Sequence, residues 1–132
     1  MKQGFEDELT KFIETLSPQA QGLFEDFGFG LTTECWSNIP RGWEAIIREA
    51  VEAIAVVDPL TKIKQIKDKF GGLRLYVNSN DASGRVDVII SLAEESSYRF
   101  CEWCSGKSAK QKQIKGFYHT LCDACYLSRF GL

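Results

Sequence analysis

Apolar positions recur with a helical period through much of the chain and with a strand period near its middle. Phe5, Leu9, Phe12, Ile13 and Leu16 fall at i, i+4, i+7, i+8 and i+11, which predicts a helix over Phe5–Leu16 with an acidic outer face (Glu6, Asp7, Glu8, Glu14). Ser17-Pro18 supplies an N-cap and a first-turn proline for a second, short helix. Leu23, Phe24 and Phe27 give it an apolar side, and Gly28 to Gly30 end it. Leu31 to Pro40 reads as a connecting loop. From Gly42 a longer helix is predicted, with Trp43, Ile46, Ile47, Ala50, Val51 and Ile54 on one stripe and Asp58-Pro59 as its stop.

The period then changes. Ile63, Ile66 and Phe70 keep a helix-like spacing, but Leu73, Leu75 and Val77 alternate with Arg74 and Tyr76 as strand residues do. Gly71-Gly72 stands between the two runs, and a pair that tolerates positive φ favours a hairpin there. A polar loop over Asn78–Gly84 leads to a helix from about Arg85 to Tyr98, with Val86, Ile89, Ile90, Leu92 and Ala93 apolar. Gly116–Leu121 suits a strand, and the residues after Cys122 suit a helix.

These elements predict an α+β fold: N-terminal helices and a β-hairpin packed with a small C-terminal module. Residues 1–98 form the helical and hairpin region and 99–132 the module, as one continuous folding unit. At 132 residues such a chain can bury roughly two thirds of its unfolded surface. With 44% hydrophobic and 26% charged residues it belongs with globular rather than disordered sequences. Its apolar runs are too short to span a bilayer, and Met1–Glu8 has no apolar stretch of the kind a signal peptide needs. A cytoplasmic address is therefore expected, where thiols stay reduced.

That expectation decides how the cysteines are read. Cys101-Glu-Trp-Cys104 is answered, after seventeen intervening residues, by Cys122-Asp-Ala-Cys125. Two Cys-x-x-Cys turns at this separation predict a tetrahedral four-thiolate site for a structural Zn²⁺. A knuckle, a hairpin and a cysteine pair in the first turn of a helix make a treble-clef layout; a zinc ribbon, with the second pair on another hairpin, is the alternative. Four thiolates leave no open coordination position for water or substrate, which argues against catalysis at the metal. Cys35 has no neighbouring partner and reads as a small buried hydrophobe. His119 is the chain's one histidine, and the segment after it lacks the further ligands a metal-assisted nuclease needs. No catalytic residue is assigned.

Charge is unevenly spread. Met1–Leu60 holds four basic and eleven acidic residues, Thr61–Tyr98 six and five, and Arg99–Leu132 six and two. Two cationic constellations follow. Lys67, Lys69, Gly71, Gly72 and Arg74 put glycine N–H groups among cations, a composition suited to a phosphate-bearing ligand, though the loop matches neither a Walker nor a dinucleotide-binding pattern. Lys107, Lys110, Lys112 and Lys115, with Phe117 and Tyr118 nearby, suit a single-stranded nucleic acid. The acidic front half favours a protein partner instead; neither constellation reaches the strongly basic profile of a dedicated duplex binder.

The stretches Gly42-Trp43, Lys67-Asp-Lys-Phe-Gly-Gly-Leu-Arg-Leu-Tyr76, Ala93-Glu-Glu-Ser-Ser97, Cys101–Cys104 and Gly116–Cys125 together resemble a family of small zinc-binding proteins of bacteriophages and prophages. The family pattern is Lys-Glu-Lys-Phe-Gly-Gly-Leu-Arg-Phe-Tyr, then Ala-Glu-x-x-Ser, then Cys-Glu-x-Cys and Gly-Trp-x-x-Thr-Leu-Cys-Asp. Here Leu75 replaces a Phe, Phe117 replaces the Trp, and Cys125 stands where relatives can carry a histidine. Met1–Phe29 is unmatched. The resemblance implies a phage-type origin and a zinc fold, and it carries no activity. A non-enzymatic protein that engages a host macromolecule is expected: a host protein first, with capture of a nucleotide signal or of nucleic acid as alternatives.

Overall fold

The structure is a computed structural model that describes residues 10–25 and 39–130. Residues 10–14 are helical, and Phe12 and Leu16 are buried as the predicted stripe requires. Helix α1 (Pro18–Gly22) starts as its sequence dictates, with Ser17 in an extended conformation and its Oγ accepting from the Ala20 N–H at 3.2 Å. Phe27, the Gly28–Gly30 stop, Cys35 and the predicted helix before residue 10 lie outside the described residues.

A 3₁₀ turn (Arg41–Trp43) feeds α2 (Glu44–Val57), and the six residues of the predicted apolar stripe, Trp43 in the turn and five in the helix, are all buried. The Glu52 carboxylate accepts from both the N–H (2.8 Å) and the hydroxyl (2.6 Å) of Ser17, which ties the start of α1 to the side of α2.

The middle of the chain is a hairpin, β1 (Lys62–Lys69) and β2 (Gly72–Asn78), with a bulge between Ile63 and Gln65. Its turn is Phe70-Gly71, one residue earlier than the expected Gly71-Gly72. Both turn residues take positive φ, 56° and 81°, the primed geometry that matches strand twist. The Asp68 carboxylate accepts from the Gly71 N–H at 3.0 Å and helps hold the turn. Gly72 is a strand residue paired with Lys69, and a Cβ there would lie 2.2 Å from the Tyr98 hydroxyl oxygen. The second glycine answers a packing demand rather than a turn demand.

Helix α3 (Arg85–Ser96) begins behind Gly84, with the Asp81 carboxylate accepting from the Val86 N–H at 3.1 Å. It ends two residues before the predicted Tyr98, because residues 97 and 98 turn toward the hairpin. There α3 lies along the outer edge of β2: the Leu73 N–H donates to Ser97 Oγ at 2.9 Å and the Leu75 N–H to Glu94 Oε2 at 3.1 Å.

A second antiparallel hairpin, β3 (Lys110–Ile114) and β4 (Phe117–Leu121), turns at Lys115-Gly116, again with both φ positive. Helix α4 (Asp123–Phe130) follows. The fold is thus α+β with two small sheets. One hydrophobic cluster fills the space between α1, α2, α3 and the first hairpin, and a smaller one gathers Cys101, Leu121 and Cys122. Among the described residues no helix is long and apolar enough to cross a membrane.

Candidate metal centre

Cys101 and Cys104 stand on a knuckle after α3. Its turn closes through the Cys101 carbonyl accepting from the Ser105 N–H at 2.9 Å, with Ser105 at φ 67°. Cys122 precedes α4, and Cys125 sits in its first turn. The four Sγ atoms lie within 4.8 Å of one another, and all four cysteines are free. Cys104 Sγ and Cys122 Sγ are 3.8 Å apart. A tetrahedron with Zn–S bonds of about 2.3 Å has edges of about 3.8 Å, so that spacing fits a shared four-coordinate metal ion.

The surroundings favour thiolates. N–H groups of Trp103, Gly106 and Cys125 point at the sulfurs of Cys101, Cys104 and Cys122, each at 3.4 Å, and the α4 N-terminus faces the group. Burial opposes ionisation of Cys101, but backbone N–H groups at Cys122, Cys104 and Trp103 outweigh it and bring that thiol down to about 7. At Cys125, burial and then the sulfurs of Cys104, Cys122 and Cys101 push the thiol up to about 12. The Gly106 N–H favours ionised Cys104, yet the Cys101 and Cys122 sulfurs prevail and raise it. Four like charges do not coexist unaided at this separation; a divalent cation held among them would let all four ionise.

The knuckle is built into the rest of the molecule through its backbone. The Gly42 N–H donates to the Glu102 carbonyl at 2.8 Å, and Ser105 Oγ donates to the Gly42 carbonyl at 2.8 Å. A Cβ on Gly42 would lie 2.2 Å from the Cys101 carbonyl oxygen. Glu102 braces the knuckle against β4: its N–H donates to the Thr120 carbonyl, and its carboxylate accepts from the Thr120 N–H at 2.8 Å and meets His119 Nδ1 at 3.1 Å. His119 is therefore engaged by a carboxylate, outside the four-sulfur group.

In the first cationic constellation the Gly71 backbone and the Arg74 guanidinium are occupied by hydrogen bonds within the chain. The Gly71 N–H serves Asp68, and the Gly71 carbonyl accepts from Thr120 Oγ1 at 2.9 Å. Arg74 donates to the Leu73 carbonyl at 2.8 Å and to the Tyr98 hydroxyl at 3.1 Å; that hydroxyl is the first of the causes that raise the guanidinium pKa. Lys67 and Lys69 lie over the rings of Tyr76 and Phe70, at 5.5 and 5.8 Å.

The second constellation is dispersed. Lys110 and Lys112 share one face of β3. Lys112 pairs with Asp123 at 3.2 Å and lies 4.9 Å over the Tyr126 ring. Lys115 is in the turn, and Lys107 lines a cavity of about 470 Å³ between α2 and α3.

The sequence reading missed Glu102, Glu94, Ser97 and Tyr98 as structural partners. The Cys-Glu-x-Cys and Ala-Glu-x-x-Ser spacings were visible, but what they contact is tertiary. No family model, curated protein or solved structure matches the chain.

Proposed function

We propose that the protein is a non-enzymatic, zinc-stabilised binding protein of the phage or prophage type its motifs resemble, working in the cytoplasm on a host macromolecule. The observation that carries the zinc reading is the closed group of four sulfurs within 4.8 Å on a knuckle–hairpin–helix frame of treble-clef layout. Four thiolates around one Zn²⁺ fill its coordination, so the ion serves the fold and offers no site for substrate.

The partner class follows from where side chains are left for use. The acidity of Met1–Leu60 supports a host protein. The exposed rings beside Lys67 and Lys69, and the ring of Phe70 against Tyr118 of β4, support nucleic acid, and they are the more specific observation because they are individual ring and cation placements. A nucleotide signal held at Gly71 is the weakest of the three, since its N–H and carbonyl are both engaged.

Elemental analysis of the purified chain tests the reading: one zinc per chain is expected. Each of Cys101→Ser, Cys104→Ser, Cys122→Ser and Cys125→Ser should lose most of it, because structural zinc supplies on the order of 10 kcal/mol to small domains. Four serine variants that keep both zinc and melting temperature would refute the assignment.

A further inference from the structure

The outward face of the first hairpin carries a series of cations and rings that continues onto the second. Strand alternation places Gln65, Lys67, Lys69, Arg74 and Tyr76 opposite the buried Ile66, Leu73 and Leu75. Along that face Lys67 lies over Tyr76 and Lys69 over Phe70, and the Arg74 guanidinium lies 6.0 Å from the Tyr98 ring. Phe70 then meets Tyr118 of β4 edge to face, with ring centroids 6.3 Å apart at 84°. The junction is fixed by Gln111 Nε2 donating to the Phe70 carbonyl at 2.8 Å and by the Thr120–Gly71 bond. The neighbouring carboxylates Asp68 and Glu94 accept from the backbone N–H groups of Gly71 and Leu75, and Glu102 from that of Thr120.

Phe70 is the residue that turns this surface into a candidate site. It occupies the left-handed region at φ 56°, where the turn favours Asn, Asp or Gly, and its side chain is 65% exposed. Neither local propensity nor burial accounts for a phenylalanine there. Its ring meets Tyr118 edge to face and still stays largely exposed, and a residue that breaks a local rule for so small a packing gain points to function. Tyr76 and Tyr118 are also open, at 41% and 40%.

We infer that this strip, Tyr76–Lys67–Arg74–Lys69–Phe70–Tyr118, binds single-stranded nucleic acid. Exposed rings offer stacking platforms for unpaired bases. Lys67 and Lys69, whose contacts are with ring faces, meet the phosphates, while Arg74 is held between them by the Leu73 carbonyl and Tyr98. Four residues of strand at about 3.3 Å each give about 13 Å, and the Phe70–Tyr118 step adds 6.3 Å. That length admits a short run of nucleotides. A duplex hides its base faces, and the chain's net charge of −2 gives it little general attraction for one. The inference rests on the zinc-stabilised fold, because β4, which supplies Tyr118, is braced by the knuckle through Glu102.

The test is fluorescence anisotropy of labelled oligo(dT) and oligo(U) at low salt, with a duplex as comparison and zinc content measured on the same samples. Phe70→Asn places a residue that accepts the left-handed turn, so the melting temperature is kept or raised, while affinity falls about tenfold through loss of one stacking partner. Lys67→Gln with Lys69→Gln should lower the salt slope by about 1.4, from about 0.7 per phosphate contact on a single strand. Zinc-loaded protein that leaves the single strands free overturns the inference and leaves the zinc reading standing. Equal affinity for duplex, or binding untouched by either variant, overturns it as well. A chain that carries no zinc refutes the zinc reading directly.

Discussion

Gly42 shows how much one missing methyl group decides. Its N–H and carbonyl both bond to the knuckle, and the gap where a Cβ would stand is filled by the Cys101 and Glu102 backbone. Backbone cannot swing aside as a side chain can, so Gly42→Ala must push the knuckle away. Overpacking costs about 1–3 kcal/mol and each lost hydrogen bond about 1 kcal/mol. The variant should lose about 2–4 kcal/mol in urea unfolding and release zinc faster to a chelator; unchanged release would show that the contact is dispensable. The sequence marks Gly42 only as the start of a helical stripe, because its partner lies sixty residues downstream. Ser17 was fully legible, since an N-cap contacts its own helix. Phe70 was not: its own spacing was helix-like and the expected Gly71-Gly72 turn left it at a strand end, while the Asp68–Gly71 bond and the Tyr118 ring fix the turn one residue earlier.

At the level of elements, α3 and β2 solve a problem of matching periods. N–H groups on one edge of a strand recur every second residue, about 6.6 Å apart. Side chains three apart on a helix are neighbours at about 5–6 Å. Glu94 and Ser97 have that spacing and meet Leu75 and Leu73, which gives the Ala-Glu-x-x-Ser stretch a physical reading. Ser97 is fully buried and its hydroxyl also donates to the Glu94 carbonyl at 2.6 Å. Ser97→Ala leaves the Leu73 N–H buried and unpaired, which costs about 1–3 kcal/mol. Faster hydrogen exchange at the Leu73 amide should accompany the loss; an amide still protected would mean another acceptor takes over. The helix and the hairpin were each legible from periodicity, but not their docking, because the hydrogen bonds that join them run from side chain to backbone edge.

For the whole molecule, the question is whether metal and core stand or fall together. The small cluster under the cysteines is separate from the main one, yet hydrogen bonds cross between them at Gly42, Phe70 and Gly71. Chelation should therefore lower the melting temperature of the main core as well as abolish the module. A single transition, followed both by far-ultraviolet circular dichroism and by fluorescence of the buried Trp43 with Trp36→Phe and Trp103→Phe in place, is expected from the zinc-loaded chain. Two separated transitions would mean that the module unfolds alone. The four cysteines could be read from spacing by themselves; the seam could not, since each bond in it joins positions about forty or more apart.

The covered edge of β2 has a consequence beyond the single molecule. A strand edge with free N–H groups is a template for further strands. With Glu94 and Ser97 in place, β2 cannot recruit a strand from another copy. If α3 peels away, Leu73 and Leu75 present both hydrogen-bond donors and apolar side chains, so variants that loosen α3 should be lost to fibrils or inclusion bodies before they are lost to unfolding.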